Sequence, residues 1–236
     1  MDLRSDSELI ASHATRMLPL ASALLGDEYR YQSLPLCVID AVWSIGVRYT
    51  GVQRLVARYC ESTNQKRIRD SAELPPTNVQ LSIRAFCNWL GQFDATVLAE
   101  QIFCNKQRTS TQNGILKAEA VRRFAKALDS FGVEFFQDVP SVAASRAFEA
   151  EIASIPGQSS GISLKYFWML TGSDDFVKPD RMVLRFLEAG LGHRVNLSQA
   201  EQVLRQACVH LRTNYPNMTL RLLDHEIWKF QRQRKN

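Results

Sequence analysis

Long apolar runs are absent from the 236 residues, and so are closely spaced cysteines. With no stretch approaching about 20 apolar residues, no membrane-spanning helix is expected. The opening segment, MDLRSDSELIASHATRMLPLASALL, carries acidic residues early and lacks the unbroken apolar core of a signal peptide. A soluble, cytoplasmic chain with no membrane partner is therefore expected. Five cysteines (Cys37, Cys60, Cys87, Cys104 and Cys208) stand far apart, with no CxxC pair and no clustering with histidine. That spacing excludes a locally encoded zinc site or iron–sulfur cluster, and the five read as reduced thiols. The histidines His13, His193, His210 and His225 are scattered, none with a metal-ligand partner at i+3 or i+4, and read as structural or surface residues. Neither a metal nor a cofactor is expected. Repeats, low-complexity tracts and long linkers are missing as well.

What is present is core-forming material: 45% of residues are hydrophobic, enough for one large domain or two small lobes. A net charge of +5 and a pI of about 9.0 suit a polyanionic partner without requiring one. Wherever a period can be counted it is helical: Val121, Phe124, Ala125 and Leu128 fall at i, i+3, i+4, i+7, and Leu204, Ala207, Cys208 and Leu211 repeat the spacing. The expected fold class is all-α, with helices over 7–25, 36–60, 78–90, 94–104, 115–130, 144–153, 161–171, 180–190, 198–213 and 218–232. Between them, 61–77 is the candidate long surface loop, with Lys66, Arg67, Arg69 and the Pro75-Pro76 pair.

One turn stands out. The helix over 144–153 ends at Ile155-Pro156-Gly157 and the next begins near Gly161, so 158–162 are expected to present several unpaired amides in one direction. Such amides, at the positive end of a helix dipole, hold phosphate oxygens without reading a base. An ordinary corner with no ligand is the alternative. Downstream, Lys178-Pro179-Asp180 opens another helix. Asp180 is an N-cap by default, yet a carboxylate fixed at a helix start is also a rigid negative charge. Hydrolysis of a nucleoside bond passes through an oxocarbenium-like sugar, which one such charge and a water would serve.

The order of hairpin turn, amphipathic helix, short loop and Asp at a helix head resembles the helix-hairpin-helix DNA glycosylases (the HhH-GPD superfamily of endonuclease III and the alkyladenine glycosylases). Ile155-Pro156-Gly157-Gln158-Ser159 occupies the hairpin, and Lys178-Pro179-Asp180-Arg181-Met182-Val183 the catalytic turn. Lys117-Ala118-Glu119, the 36–59 segment with Ser44 near its loop, Arg185, and His225-Glu226-Ile227-Trp228 extend the likeness over about 36–230. The resemblance implies two helical lobes with a cleft between them. One, 31–172, carries the hairpin near 155–165; 1–30 plus 173–236 make the other, which carries the catalytic Asp180. It implies double-stranded DNA as the partner, with no obligate protein partner. DNA-backbone contacts are expected from Gly157, Gln158, Ser159, Ser160, Gly161, Lys178 and Arg181.

The departures from the family are informative. Where lyase members carry a nucleophilic lysine, this chain has Gly161, and Lys165 lies one helical turn further on. A monofunctional DNA N-glycosylase is therefore expected, leaving an abasic site without strand cleavage. Ser159 replaces the second hairpin glycine, and no cysteine follows Cys208, so the resemblance is to a divergent bacterial member without the iron–sulfur cluster of several relatives. For gripping the extruded base or filling its gap, the candidates are Trp43, Arg48, Tyr49, Tyr166 and Trp168, although aromatic residues at helical spacing are commonly core. The base itself is not legible. The first expectation is a bulky modified base of phage DNA, such as glucosylated hydroxymethylcytosine, removed in antiviral defence. The alternatives are alkylpurine repair and a non-catalytic DNA-binding module.

Overall fold

In the computed structural model of the chain, which describes residues 3–234, every regular element is helical. Extended pairing among the described residues is limited to two isolated bridges, Tyr31–Ile68 and Arg108–Leu116. In chain order the helices are α1 (Leu3–Met17), α2 (Leu34–Trp43), α3 (Tyr49–Ser62), α4 (Ile83–Leu90) and the single turn α5 (Ala95–Val97). There follow α6 (Lys117–Ser130), α7 (Arg146–Ser154), α8 (Ile162–Thr171), α9 (Arg181–Leu191), α10 (Leu197–Leu211) and α11 (Leu220–Gln233). No helix among the described residues is long and apolar enough to cross a membrane.

Several elements depart from the sequence expectation for local reasons. The 7–25 helix stops at Met17, because Pro19 has no amide to continue the ladder. The 36–60 helix is two helices separated by 44–48, where Gly46 takes a φ of 72°. The 78–90 helix begins at Ile83, where the Ser82 hydroxyl accepts from the Ala85 amide at 3.1 Å. The 94–104 helix shortens to α5, capped by Asp94, and runs into a π-turn over Leu98–Ile102. The 61–77 loop is anchored rather than loose. Arg69, buried to 8% exposure, donates to the carbonyl oxygens of Tyr29, Tyr31 and Ala72, and its guanidinium lies 5.7 Å from the Phe136 ring centre.

The chain divides into two compact units, one of residues 1–26 and 172–236 and one of 27–171. The larger unit is built around α2, whose ten residues are all buried, as the sequence LPLCVIDAVW requires of a helix apolar on every side. It packs against α8, α6 and α3. Trp43 lies 4.5 Å from Phe103, and Phe103 and Phe86 each approach Tyr59 at 6.0 Å, so aromatic contacts tie α2, α3 and α4 together. The smaller unit buries Ile10 and Ala14 of α1 against Phe186 and Leu187 of α9, Leu204 and Ala207 of α10, and Leu223 and Ile227 of α11.

A charged side chain closes the end of α2. Lys117, at 2% exposure, donates its ammonium to the carbonyl oxygens of Trp43 at 2.9 Å and Ile45 at 2.7 Å. It satisfies orphan carbonyls at the negative end of the helix dipole. Replacing it as Lys117→Met strands both carbonyls, and we expect a loss of about 3 kcal/mol in urea unfolding. A loss below about 0.5 kcal/mol would show that the contact is not structural.

Candidate functional site

The hairpin joins α7 to α8. Gly157 and Gly161 both take left-handed backbone angles, with φ of 83° and 69°. They differ in surroundings: a Cβ on Gly157 would lie 2.5 Å from the Thr109 Cβ, whereas one on Gly161 meets nothing within 4 Å. The expected row of open amides is only partly present. Gln158 N–H donates to the Ile155 carbonyl at 2.9 Å and Gly161 N–H to the Gln158 carbonyl at 3.0 Å, so both are spent inside the turn. The Gln158 side chain is buried and accepts from the Ser163 hydroxyl. The amides of Ser159 and Ser160, both residues exposed, meet no backbone carbonyl, nor do those of Ser163 and Leu164 in the first turn of α8. Ile162 N–H reaches the Ser160 hydroxyl at 3.5 Å. What the turn offers is therefore two exposed serines at a helix start.

Asp180 belongs to the smaller unit. Its Oδ1 accepts from the amides of Met182 at 2.7 Å and Val183 at 3.4 Å, which makes it the N-cap of α9. The residue is half-buried, and Arg181 beside it is exposed. Its own amide donates back to the Lys178 carbonyl at 2.6 Å, closing a tight turn over Pro179. The Lys178 amide in turn donates to Asp224 of α11 at 3.0 Å. Asp224 is buried, and burial followed by the nearby Asp180 charge pushes its carboxyl well above the usual carboxylate range, while Lys178 pulls the other way.

The aromatic candidates lie in the larger unit, and most are inside it. Trp43 and Trp168 are each 1% exposed, with Phe103 against the first and Phe148 and Phe167 against the second. Both rings lie in the core, packed against neighbouring rings at tilted angles. Tyr166 is buried and Tyr49 half-buried. The Tyr49 hydroxyl donates to Asp40 Oδ2 at 3.0 Å, and that of Tyr31 to the same oxygen at 2.8 Å. Burial and then the Asp40 charge push the phenols of Tyr31, Tyr49 and Tyr166 well above their ordinary range. Arg48 is exposed, directly before α3.

Sequence reasoning missed Asp40 and Asp224. Asp40 is the one charged residue of α2, and Asp224 directly follows Leu222-Leu223, so an acid set into an apolar stretch was the available signal. Among the described residues no group of three or more His, Cys, Asp or Glu side chains could hold a metal ion.

A family model described as a domain of unknown function, DUF8548, matches residues 8–232, a span that takes in helices of both units. The chain belongs to the DUF8548 family. No curated protein and no solved structure matches it.

Two measurements check this geometry. Gly157→Ala meets both the unfavourable φ and the Thr109 contact, whereas Gly161→Ala meets the φ alone, so we expect losses of more than 2 kcal/mol and about 1 kcal/mol respectively in chemical unfolding. Equal losses would contradict the close approach. On α11, burial and then Lys229 lower the His225 imidazole to about 4. The unfolded chain takes up this proton from about pH 6.5 downwards and the folded chain only near 4, so stability falls as pH drops through that window. His225→Gln should remove up to about 3 kcal/mol of this acid sensitivity. An unchanged pH–stability profile would contradict it.

Proposed function

We propose that the protein is a monofunctional DNA N-glycosylase: it binds duplex DNA, hydrolyses one N-glycosidic bond and leaves an abasic site. The observation that carries this reading is Asp180, a half-buried carboxylate locked by two helix amides at the head of α9, 23 residues after Gly157 of the hairpin. In this reading the hairpin supplies the exposed amides and hydroxyls of Ser159 and Ser160 to a phosphate, with Lys178 and Arg181 adding positive charge. The C1′–N bond breaks with its electron pair leaving on the base, and the sugar becomes an oxocarbenium ion facing Asp180. Water adds to C1′ and gives up a proton, and the departing base takes one.

Gly161 supports hydrolysis over lyase chemistry, since it has no amine to form a Schiff base, and Lys165 lies a turn further along α8. The substrate we favour is a bulky modified base, such as glucosylated hydroxymethylcytosine in phage DNA, with an alkylated purine as the alternative. Arg48 and Tyr49 are the residues we place against the gap left by the base. Their position beside the 44–48 break is what supports them.

Base release from duplexes carrying alkylated, deaminated, oxidised or glucosylated bases tests the proposal, with wild type and Asp180→Asn side by side. Free base from wild type, reduced on the order of 100-fold or more in the variant with DNA binding retained, is the expected result. Salt-dependent binding by both proteins with no release from any duplex would replace the enzyme by a non-catalytic binding module. A nicked product with a borohydride-trapped adduct would overturn the monofunctional assignment.

A further inference from the structure

The segment that leads into α9 is tied to neighbouring helices at successive points. Arg221 of α11 pairs with Asp174 at 2.8 Å, and Arg205 of α10 donates to the Asp175 carbonyl at 2.9 Å. Val177 is fully buried in the core of the smaller unit. Next comes the bond from the Lys178 amide to Asp224, and then the turn in which Asp180 N–H closes on the Lys178 carbonyl. The Lys178 residue is thus held at its amide by Asp224 and at its carbonyl by Asp180. Pro179 between them has its φ fixed by its ring. No slack is left in the backbone from the buried Asp224 to the carboxylate that caps α9.

The two acids of this arrangement are unequal. Asp180 accepts from two amides and is half-buried. Asp224 is 5% exposed, and its carboxyl accepts from the Lys178 amide. The charged groups acting on it are Asp180 and Lys178, both from the turn ahead of α9. Burial and the nearby Asp180 charge both disfavour a second carboxylate at Asp224, raising its carboxyl above the ordinary range.

We propose that Asp224 is the positioning residue of Asp180: its buried carboxyl group accepts from the Lys178 amide and so holds the backbone turn that aims Asp180, with the two acids near enough to repel. Its effect on turnover rests on the glycosylase reading. Its effect on the turn does not.

The test uses the full chain without DNA first. Carboxyl carbon shifts are followed by NMR against pH in wild type and Asp180→Asn, with amide exchange measured in wild type, Asp224→Asn and Asp224→Ala. Asp224 should titrate above the ordinary carboxylate range in wild type and move down once Asp180 is neutral. Exchange at the Lys178 amide should quicken by at least about tenfold in Asp224→Ala and stay slow in Asp224→Asn, whose side-chain oxygen can still accept. An Asp224 that titrates normally and ignores Asp180→Asn overturns the proposal, as does equal Lys178 exchange in all three proteins. On a released base, Asp224→Ala should lose about tenfold or more in kcat with little change in KM, and Asp224→Asn should restore it to within about threefold. Equal loss in both variants overturns the backbone role. If wild type releases no base at all, the glycosylase reading fails and the titration and exchange data alone decide the role of Asp224.

Discussion

Burial of α2 on every side is the constraint on which the larger unit depends. A helix with no solvent face must bring partners for whatever polar groups it carries, and α2 carries a carboxylate at Asp40 and unsatisfied carbonyls at its end. Tyr31 and Tyr49 donate to the carboxylate, and the Lys117 ammonium takes the carbonyls of Trp43 and Ile45. These two attachments flank the break between α2 and α3, so exposed Arg48 sits on a loop held from both sides. A polar network of this kind rigidifies what it surrounds, because any displacement leaves a buried group unpaired.

The smaller unit solves a different problem with similar means. It presents a carboxylate at a helix head, and the negative charge is accommodated by amides of α9 while the neighbouring acid stays out of solvent. Between α9 and α11 the contact is apolar, through Phe186, Leu223 and Ile227, and the turn ahead of α9 adds a polar one through the Lys178 amide and Asp224. The Asp180 carboxylate is thereby fixed to the core of its unit by more than its own cap. In the proposed chemistry a pre-set charge of this kind is worth more than a mobile one, since none of the reaction's free energy goes into orienting it.

The all-α character and the helices around 117–130, 146–154, 162–171 and 181–191 were legible from helical spacing and turn punctuation, with Ser145 and Asp180 standing where N-caps belong in two of them. The interruption at 44–48 was not legible in the apolar pattern, although the resemblance set a loop near Ser44, and the lysine that closes the end of α2 comes from more than seventy residues away in sequence. The same limit applied to the hairpin. Composition announced a turn, but which amides the turn spends on itself depends on the Ile155–Gln158 and Gln158–Gly161 bonds, which only coordinates reveal. Trp43 and Trp168 show the ambiguity of aromatic residues: the ring is written in the residue, while the neighbours that bury it, here Phe103 and Phe148, are written elsewhere in the chain.

The most direct measurement of the central claim needs no knowledge of the base. Affinities are compared for two otherwise identical duplexes, one with a cationic pyrrolidine in place of the target sugar and one with an uncharged tetrahydrofuran, using wild type and Asp180→Asn. A glycosylase whose Asp180 faces an oxocarbenium ion should favour the cationic site on the order of 100-fold, and Asp180→Asn should abolish that preference while leaving the neutral duplex bound as before. Equal affinity of the wild type for both duplexes would contradict the account.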